Sequence, residues 1–155
     1  MPLEFQKPEY LHVVINHLPV FGLPVSALAL LLGLLFRNRA VQITGCFLVM
    51  LTALSFWPVK ETGEDAEDRV QAMSDEAGRE WLEVHGERAD KTGWIFYTTA
   101  ALAAASLVML WKKWKWATAS AVLVFLFAAV CVSASFWIAS AGGKIRHSEF
   151  RTSPP

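Results

Sequence analysis

Long apolar runs separated by short polar segments are the dominant pattern of this chain. Four runs contain no Lys, Arg, Asp or Glu, and each has close to the ~20 residues that an α-helix needs to cross the hydrocarbon of a bilayer. The pattern predicts an all-α integral membrane protein, a four-helix antiparallel bundle that forms one domain over residues 1–155. The predicted spans are residues 10–36, 41–59, 94–111 and 116–141.

The composition agrees with insertion into a membrane. Hydrophobic residues make up 54% of the chain and charged residues 18%, with a mean hydropathy of +0.36, whereas soluble domains average about 45–50% apolar and about 25% charged residues. The sequence contains no basic patch of the kind that would indicate a nucleic acid as a partner. The expected surroundings are therefore the lipid bilayer.

The charges of the connections predict the orientation. The two short connections contain bases and no acids, and the positive-inside rule places both in the cytoplasm. We therefore expect a multi-pass protein of the bacterial cytoplasmic membrane with N-out, C-out topology. The long connection at residues 60–93 then lies outside, and it is acidic, with 11 Asp and Glu residues against five Lys and Arg. The bases of the short connections are Arg37, Arg39, Lys112, Lys113 and Lys115.

The acidic connection also has a helical pattern. Trp81, His85 and Ala89 recur at helical spacing. Ser74 is a suitable cap for a helix that starts at Asp75. The third helix is therefore predicted to extend outside the bilayer by several turns.

Proline and glycine predict where helices break or end. Pro19 and Pro24 each remove a backbone donor from span one, so we expect a kink or a local break in its outer half. Span four is predicted to end at Gly142 and Gly143, because glycine commonly follows the last turn of a helix. No long-period repeat is evident in the sequence.

The four histidines are the main clue to chemistry. His12, His17, His85 and His147 come from three separate regions, yet the topology deduced from charge puts all of them on the extracytoplasmic side. His12 and His17 are five residues apart, which is about 140° around an α-helix. They cannot both face one central ligand unless the helix is distorted near Pro19. Otherwise one coordinates the ligand and the other faces a neighbouring helix or lipid headgroups.

Two kinds of cofactor site fit these residue types. A pair of neutral imidazoles from different helices can ligate a haem iron between apolar helices. Alternatively, three or four histidines and a carboxylate bind a zinc or copper ion at the mouth of the bundle. In a third interpretation the histidines bind no cofactor and only form hydrogen bonds to backbone or lipid. The candidate ligands for a metal ion are His12, His17, His85, His147, Glu61, Glu64 and Glu149.

Residues 11–20 resemble the opening of an uncharacterised family of small bacterial four-helix membrane proteins, in which two histidines separated by four residues are followed by a proline two positions on. The resemblance continues at residues 62–64, at His85 and at residues 142–149. Val13 departs from it, since a proline often follows the first histidine in the family. Similar domains occur joined to Rieske or c-type cytochrome domains, so the resemblance implies haem or an electron-transfer partnership.

The leading hypothesis is a membrane-bound b-type haem protein that transfers electrons at the extracytoplasmic face. His17 and His85 are the predicted axial ligands, with His12 and His147 as second choices. A c-type cytochrome, a Rieske protein or another redox subunit is the expected partner. The alternatives are an extracytoplasmic zinc- or copper-binding protein and a cofactor-free structural subunit of a respiratory or photosynthetic complex. Electron transfer or binding is favoured over stand-alone catalysis, because the sequence has no recognisable hydrolase or phosphate-binding motif.

Overall fold

Four antiparallel helical rods form the bundle. The computed structural model describes residues 7–151, and each rod is long and apolar enough to cross a membrane. The rods run over Pro8–Leu35, Arg39–Met73, Glu76–Trp111 and Ala117–Arg146. The predicted all-α, four-helix architecture is confirmed, and both ends of the described chain lie at the same end of the bundle.

Breaks in the first two rods divide residues 7–151 into six α-helices. A π-helical turn, Leu18–Gly22, occupies the middle of the first rod, where Pro19 lacks the N–H that a regular α-helix would use. This is the local break that the prolines predict. A short 3₁₀ turn, Ser148–Phe150, follows the last helix. The bounds are α1 Pro8–Ile15, α2 Leu23–Leu35, α3 Arg39–Leu54, α4 Phe56–Met73, α5 Glu76–Trp111 and α6 Ala117–Arg146.

Nearly all of the acidic connection is helical. The sequence pattern predicts a membrane span over residues 41–59, and the helix itself continues beyond residue 59 as α4, which ends at Met73. Residues 60–73 carry charges on their solvated sides and keep one apolar side, on which Ala66 is buried and Val70 half-buried. The second rod therefore extends beyond its apolar span, as the third does.

The turn between α4 and α5 differs from the prediction by one residue. Asp75, and not Ser74, caps α5, because its side chain accepts a hydrogen bond from the Gly78 N–H at 2.8 Å. Ser74 donates instead to the Val70 carbonyl and ends α4. The predicted extension of the third helix is confirmed, since α5 runs unbroken for 36 residues.

Small residues bring the helices together in the half of the bundle that carries the short basic connections, here called the loop end. Gly45 on α3 lies against Leu30 on α2, so closely that an added Cβ would be 2.5 Å from the Leu30 Cα. On α5 and α6, Ala103, Ala121 and Ala128 are fully buried. Close backbone approach of this kind is typical of helix association in membranes.

The opposite half of the bundle, here called the histidine end, is split. There α1 packs on α4, and the first turns of α5 pack on the last turns of α6 through Trp81, Ala141 and Ile145. In contrast, α4 and α5 make few contacts with each other. The two helix pairs α1/α4 and α5/α6 are therefore separate walls, and the space between them is here called the cleft.

Candidate functional site

The cleft is large enough to hold a cofactor. Its volume is about 1580 Å³, more than the ~300–1,000 Å³ of a typical ligand pocket. The inner part is apolar: Pro19 and Ile138 line it, and the rings of Phe56 and Phe96 stack there with centroids 4.2 Å apart. The outer part is lined by charged residues. This lining suits a ligand with an apolar body and a charged edge.

His12 projects from α1 and is held by α4. Its Nδ1 donates a hydrogen bond to the Val59 carbonyl at 2.9 Å. The ring lies against Gly63, where an added Cβ would be 3.0 Å from the His12 Cε1. The missing side chain at residue 63 leaves room for the ring, and the hydrogen bond fixes its direction.

His85 projects from α5 and is held by α6 in the same way. Its Nδ1 donates to the Ile138 carbonyl at 3.0 Å, and a Cβ added at Gly142 would be 3.1 Å from its Cε1. Each ring thus contacts a carbonyl and the glycine four residues later on the neighbouring helix. The prediction that Gly142 and Gly143 end the fourth helix is wrong, because α6 continues to Arg146 and Gly142 makes room for a ring instead.

The two rings meet across the cleft. Their centroids are 6.2 Å apart and their planes are nearly perpendicular, at 86°. Because a carbonyl oxygen only accepts hydrogen bonds, each ring carries its proton on Nδ1 and keeps the Nε2 lone pair available. Two imidazoles that share one metal ion, at metal–nitrogen distances of about 2.0–2.1 Å, have centroids about 6 Å apart. The centroid distance of the pair is therefore close to that of two imidazoles that share one metal ion.

Two unpaired polar atoms belong to the cleft lining. Among the described residues, Glu9 Oε2 and Ser135 Oγ are the buried side-chain atoms without a hydrogen-bond partner, and both residues line the cleft. An unpaired buried polar group is unfavourable by about 1–3 kcal/mol. A polar ligand or water in the cleft would pair with these atoms, so the lining is suited to being occupied.

His17 lies outside the cleft lining. It is exposed, its Nδ1 donates to the Val13 carbonyl at 2.8 Å, and its ring stacks on Phe21. The π-helical turn follows both His12 and His17, so it does not rotate one towards the other. The predicted axial pair of His17 and His85 is not brought together, and His12 takes the place opposite His85.

The remaining candidate ligands do not gather around one point. His147 is exposed after α6 and hydrogen-bonds Glu149 at 2.9 Å. Glu64 lines the cleft but pairs with Lys60 at 3.1 Å, and Glu61 is exposed and accepts a hydrogen bond from an indole N–H. Within residues 7–151 no three His, Cys, Asp or Glu side chains are placed to hold a metal ion. A haem iron that takes two protein ligands does not need such a group.

Negative charge dominates the outer lining of the cleft. Acidic side chains outnumber basic ones there, and those on α4 and α5 are mostly exposed. The acids are Glu9, Glu64, Glu67, Glu76, Glu80, Glu83, Glu87 and Asp90. The bases are Lys7, Lys60, Arg79 and Arg146. This end of the bundle therefore has a negative electrostatic potential.

These features define a class of protein: a four-helix membrane-type bundle with a paired-histidine cleft at one end. Comparison with protein families, with curated proteins and with solved structures gives no significant match for the chain. The interpretation of the cleft therefore depends on its own geometry.

A short internal repeat marks both walls of the cleft. Ser-Phe-Trp occurs at residues 55–57 and again at residues 135–137. Each copy is followed within three residues by the carbonyl that holds a histidine, and then by the contacting glycine, Gly63 or Gly142. Sequence reasoning overlooked this repeat because it is only three residues long, and it also missed Ser135.

Proposed function

We propose that the protein is a membrane-bound b-type haem protein that transfers electrons, with His12 and His85 as the axial ligands. The observation that carries the proposal is the geometry of this histidine pair. The two rings come from opposite walls of the cleft, are spaced for one iron, and are each fixed through Nδ1. A haem iron held by two histidines takes up and gives back one electron.

Residues of the chain would orient the ligands and exclude water. The carbonyls of Val59 and Ile138 keep Nδ1 protonated and leave Nε2 as the ligating atom, and such hydrogen bonds make the imidazole a stronger ligand. The stacked rings of Phe56 and Phe96 keep the inner cleft apolar. Both effects tune the reduction potential of a bound haem.

The alternatives have less support. A zinc or copper site would need three or more ligands, and residues 7–151 contain no such group. A cofactor-free structural subunit gives no reason for two opposed imidazoles with free Nε2 atoms in a cleft of about 1580 Å³. The haem proposal accounts for both features.

The proposal includes an orientation and a partner. The basic loop end favours the cytoplasm, which puts the histidine end on the extracytoplasmic side of a bacterial cytoplasmic membrane. The acidic outer lining would attract a basic soluble redox protein, such as a c-type cytochrome or a Rieske protein. Electrons would pass between that partner and the cleft.

Visible spectroscopy tests the proposal. The full chain is purified in mild detergent, and spectra are recorded in the oxidised and dithionite-reduced states, with and without added haemin, alongside elemental analysis. We expect a Soret band and sharp α and β bands of a low-spin haem on reduction. His12→Ala and His85→Ala should each remove these bands. His17→Ala and His147→Ala are matched controls that should keep them.

Other outcomes would separate the alternatives. Loss of the bands in His17→Ala but not in His12→Ala would overturn the ligand assignment. A colourless sample with stoichiometric zinc or copper would favour the metal site. A colourless, metal-free sample that does not bind added haemin would favour a structural subunit.

A further inference from the structure

Lys60 is a basic side chain of the cleft lining that bridges its two walls. Lys60 lies on α4 directly after Val59, whose carbonyl holds His12. Its Nζ reaches Asp90 on α5 at 2.9 Å and Glu64 at 3.1 Å. Lys60 also lines the cleft. A positive charge is thus held at the gap between α4 and α5, one residue after the carbonyl that holds His12.

The other bases of the lining are offset along the chain from the carbonyls and glycines that contact the histidines. Arg79 precedes His85 by six residues, which is about 9 Å along α5, and Arg146 follows Gly142 by four residues, about 6 Å along α6. Lys7 precedes α1. Among the bases of the described cleft lining, Lys60 is the one that directly follows a carbonyl holding a histidine. Arg88 is close to His85 in sequence but lies outside the lining and donates to the Trp137 carbonyl.

The present partners of Lys60 can be exchanged. The side chains of Asp90 and Glu64 are 67% and 57% exposed, and that of Lys60 is 34% exposed. Exposed ion pairs contribute little to stability and are screened by salt. A carboxylate that enters the cleft can replace either acid on Nζ, because the displaced acid remains in contact with water.

We propose that Lys60 binds the carboxylates of the cleft ligand and so orients it, with its anionic edge towards the gap between α4 and α5. The inference rests on the proposed function, since a b-type haem is an apolar ring with two carboxylates on one edge. Most of the remaining lining is apolar or acidic, so the gap held by Lys60 is a favourable place for this edge. Asp90 and Glu64 hold the lysine in position until the ligand arrives.

Haemin and haemin dimethyl ester are the two probes, titrated into the full chain in mild detergent. The ester has the same ring and iron but no carboxylates. Lys60→Gln should weaken haemin binding about 3–10-fold and leave ester binding unchanged. Lys91→Gln is the matched control, because Lys91 is 67% exposed, pairs with Glu87 at 2.8 Å and itself lies outside the cleft lining.

Asp90→Asn gives an opposite and independent readout. It removes one acid that competes for Nζ, so haemin should bind about two- to fivefold more tightly while the ester is unaffected. Gel filtration and circular dichroism of each variant check that the bundle is intact. A variant of an exposed residue such as Asp90 should keep the fold.

The two proposals fail in different ways. Equal effects of Lys60→Gln on haemin and ester, or no effect on either, would overturn the role of Lys60, while loss of binding in His12→Ala would still support the haem site. If neither probe binds in a way that depends on His12 and His85, both proposals are wrong.

Discussion

The first hairpin, residues 8–73, and the second hairpin, residues 76–146, hold their histidines alike but support them differently. The second hairpin consists of two unbroken helices of 36 and 30 residues. The first is broken at Leu18–Gly22 and at Ser55, and His12 lies on a helix of only eight residues. The carbonyl and glycine contacts therefore define the site, whereas regular helices are not required. The His12 wall has the shorter and less regular helices of the two.

Each hairpin also has its own ion pair at the histidine end. Glu9 and Arg69, 3.0 Å apart, join α1 to α4. Asp75 and Arg151, 2.7 Å apart, join the start of α5 to the segment after α6, and Arg151 donates in addition to the Ile145 carbonyl. The second hairpin is therefore tied at its open end by more bonds than the first.

The largest expected effect is at the base of the first hairpin. Gly45→Ala places a Cβ 2.5 Å from the Leu30 Cα, so one backbone has to move, and we expect a loss of about 1–3 kcal/mol in stability. Gly86→Ala in the second hairpin is the control. Its Cβ meets no atom within 4 Å, and removing a helical glycine should stabilise by up to about 1 kcal/mol. Thermal unfolding in detergent measures both, and a similar melting temperature for the two variants would contradict the packing described for Gly45.

A smaller effect, on haemin affinity, is expected at the two glycines that contact the histidine rings. Gly142→Ala and Gly63→Ala add a Cβ 3.1 Å from the His85 Cε1 and 3.0 Å from the His12 Cε1. We expect haemin affinity to fall about tenfold for Gly142→Ala but only about threefold for Gly63→Ala, because the short α1 can shift beside its π-helical turn. Haemin titration followed at the Soret band measures the ratio. A larger loss for Gly63→Ala would mean that the His12 wall is the rigid one.

The smallest effect concerns acid stability. Arg151, and then the Gly78 N–H, lower the pKa of Asp75 below its ordinary value of 3.8. Since the folded pKa is depressed, the ion pair stabilises the native state above about pH 4, and this stabilisation is lost as the pH falls through the folded pKa. Asp75→Asn keeps a capping side chain but lacks this titration. Its melting temperature should therefore fall less than that of the wild type between about pH 5 and about pH 2.

Glu9→Gln is the matched variant in the first hairpin, because it removes the corresponding ion pair with Arg69. Its melting temperature is measured over the same pH range as that of Asp75→Asn. If Asp75→Asn and the wild type lost stability in parallel on acidification, the Asp75–Arg151 pair would not tie the second hairpin.

The fold is largely predictable from the sequence, because the hydrocarbon of a bilayer dictates both the length and the composition of each span. The outer part of α4 is the exception. Residues 60–73 are charged on most sides and keep only a narrow apolar side with Ala66, so they read as a solvated connection. A helix of this kind is stabilised by its neighbour α1, and local sequence alone does not reveal the neighbour.

The candidate site is predictable only in part. Charge and topology bring His12 and His85 to one end, but the choice between His12 and His17 depends on the rotation of α1 about its axis. That rotation is set by contacts with Val59 and Gly63, which are 47 and 51 residues away in sequence. Gly142 was open to the same error, because a glycine near the end of an apolar run indicates a helix terminus unless the facing ring is known.

The tight packing of the loop end has a consequence for biogenesis. The contacts between Gly45 and Leu30 and among the buried alanines of α5 and α6 lie away from the cleft. Under the proposed function, this packing does not depend on the cofactor, so we expect the chain to insert and assemble before haem enters the cleft. Under the proposed function, cofactor loading is then the last step of maturation, so supply of haem decides how much of an existing pool of protein becomes active.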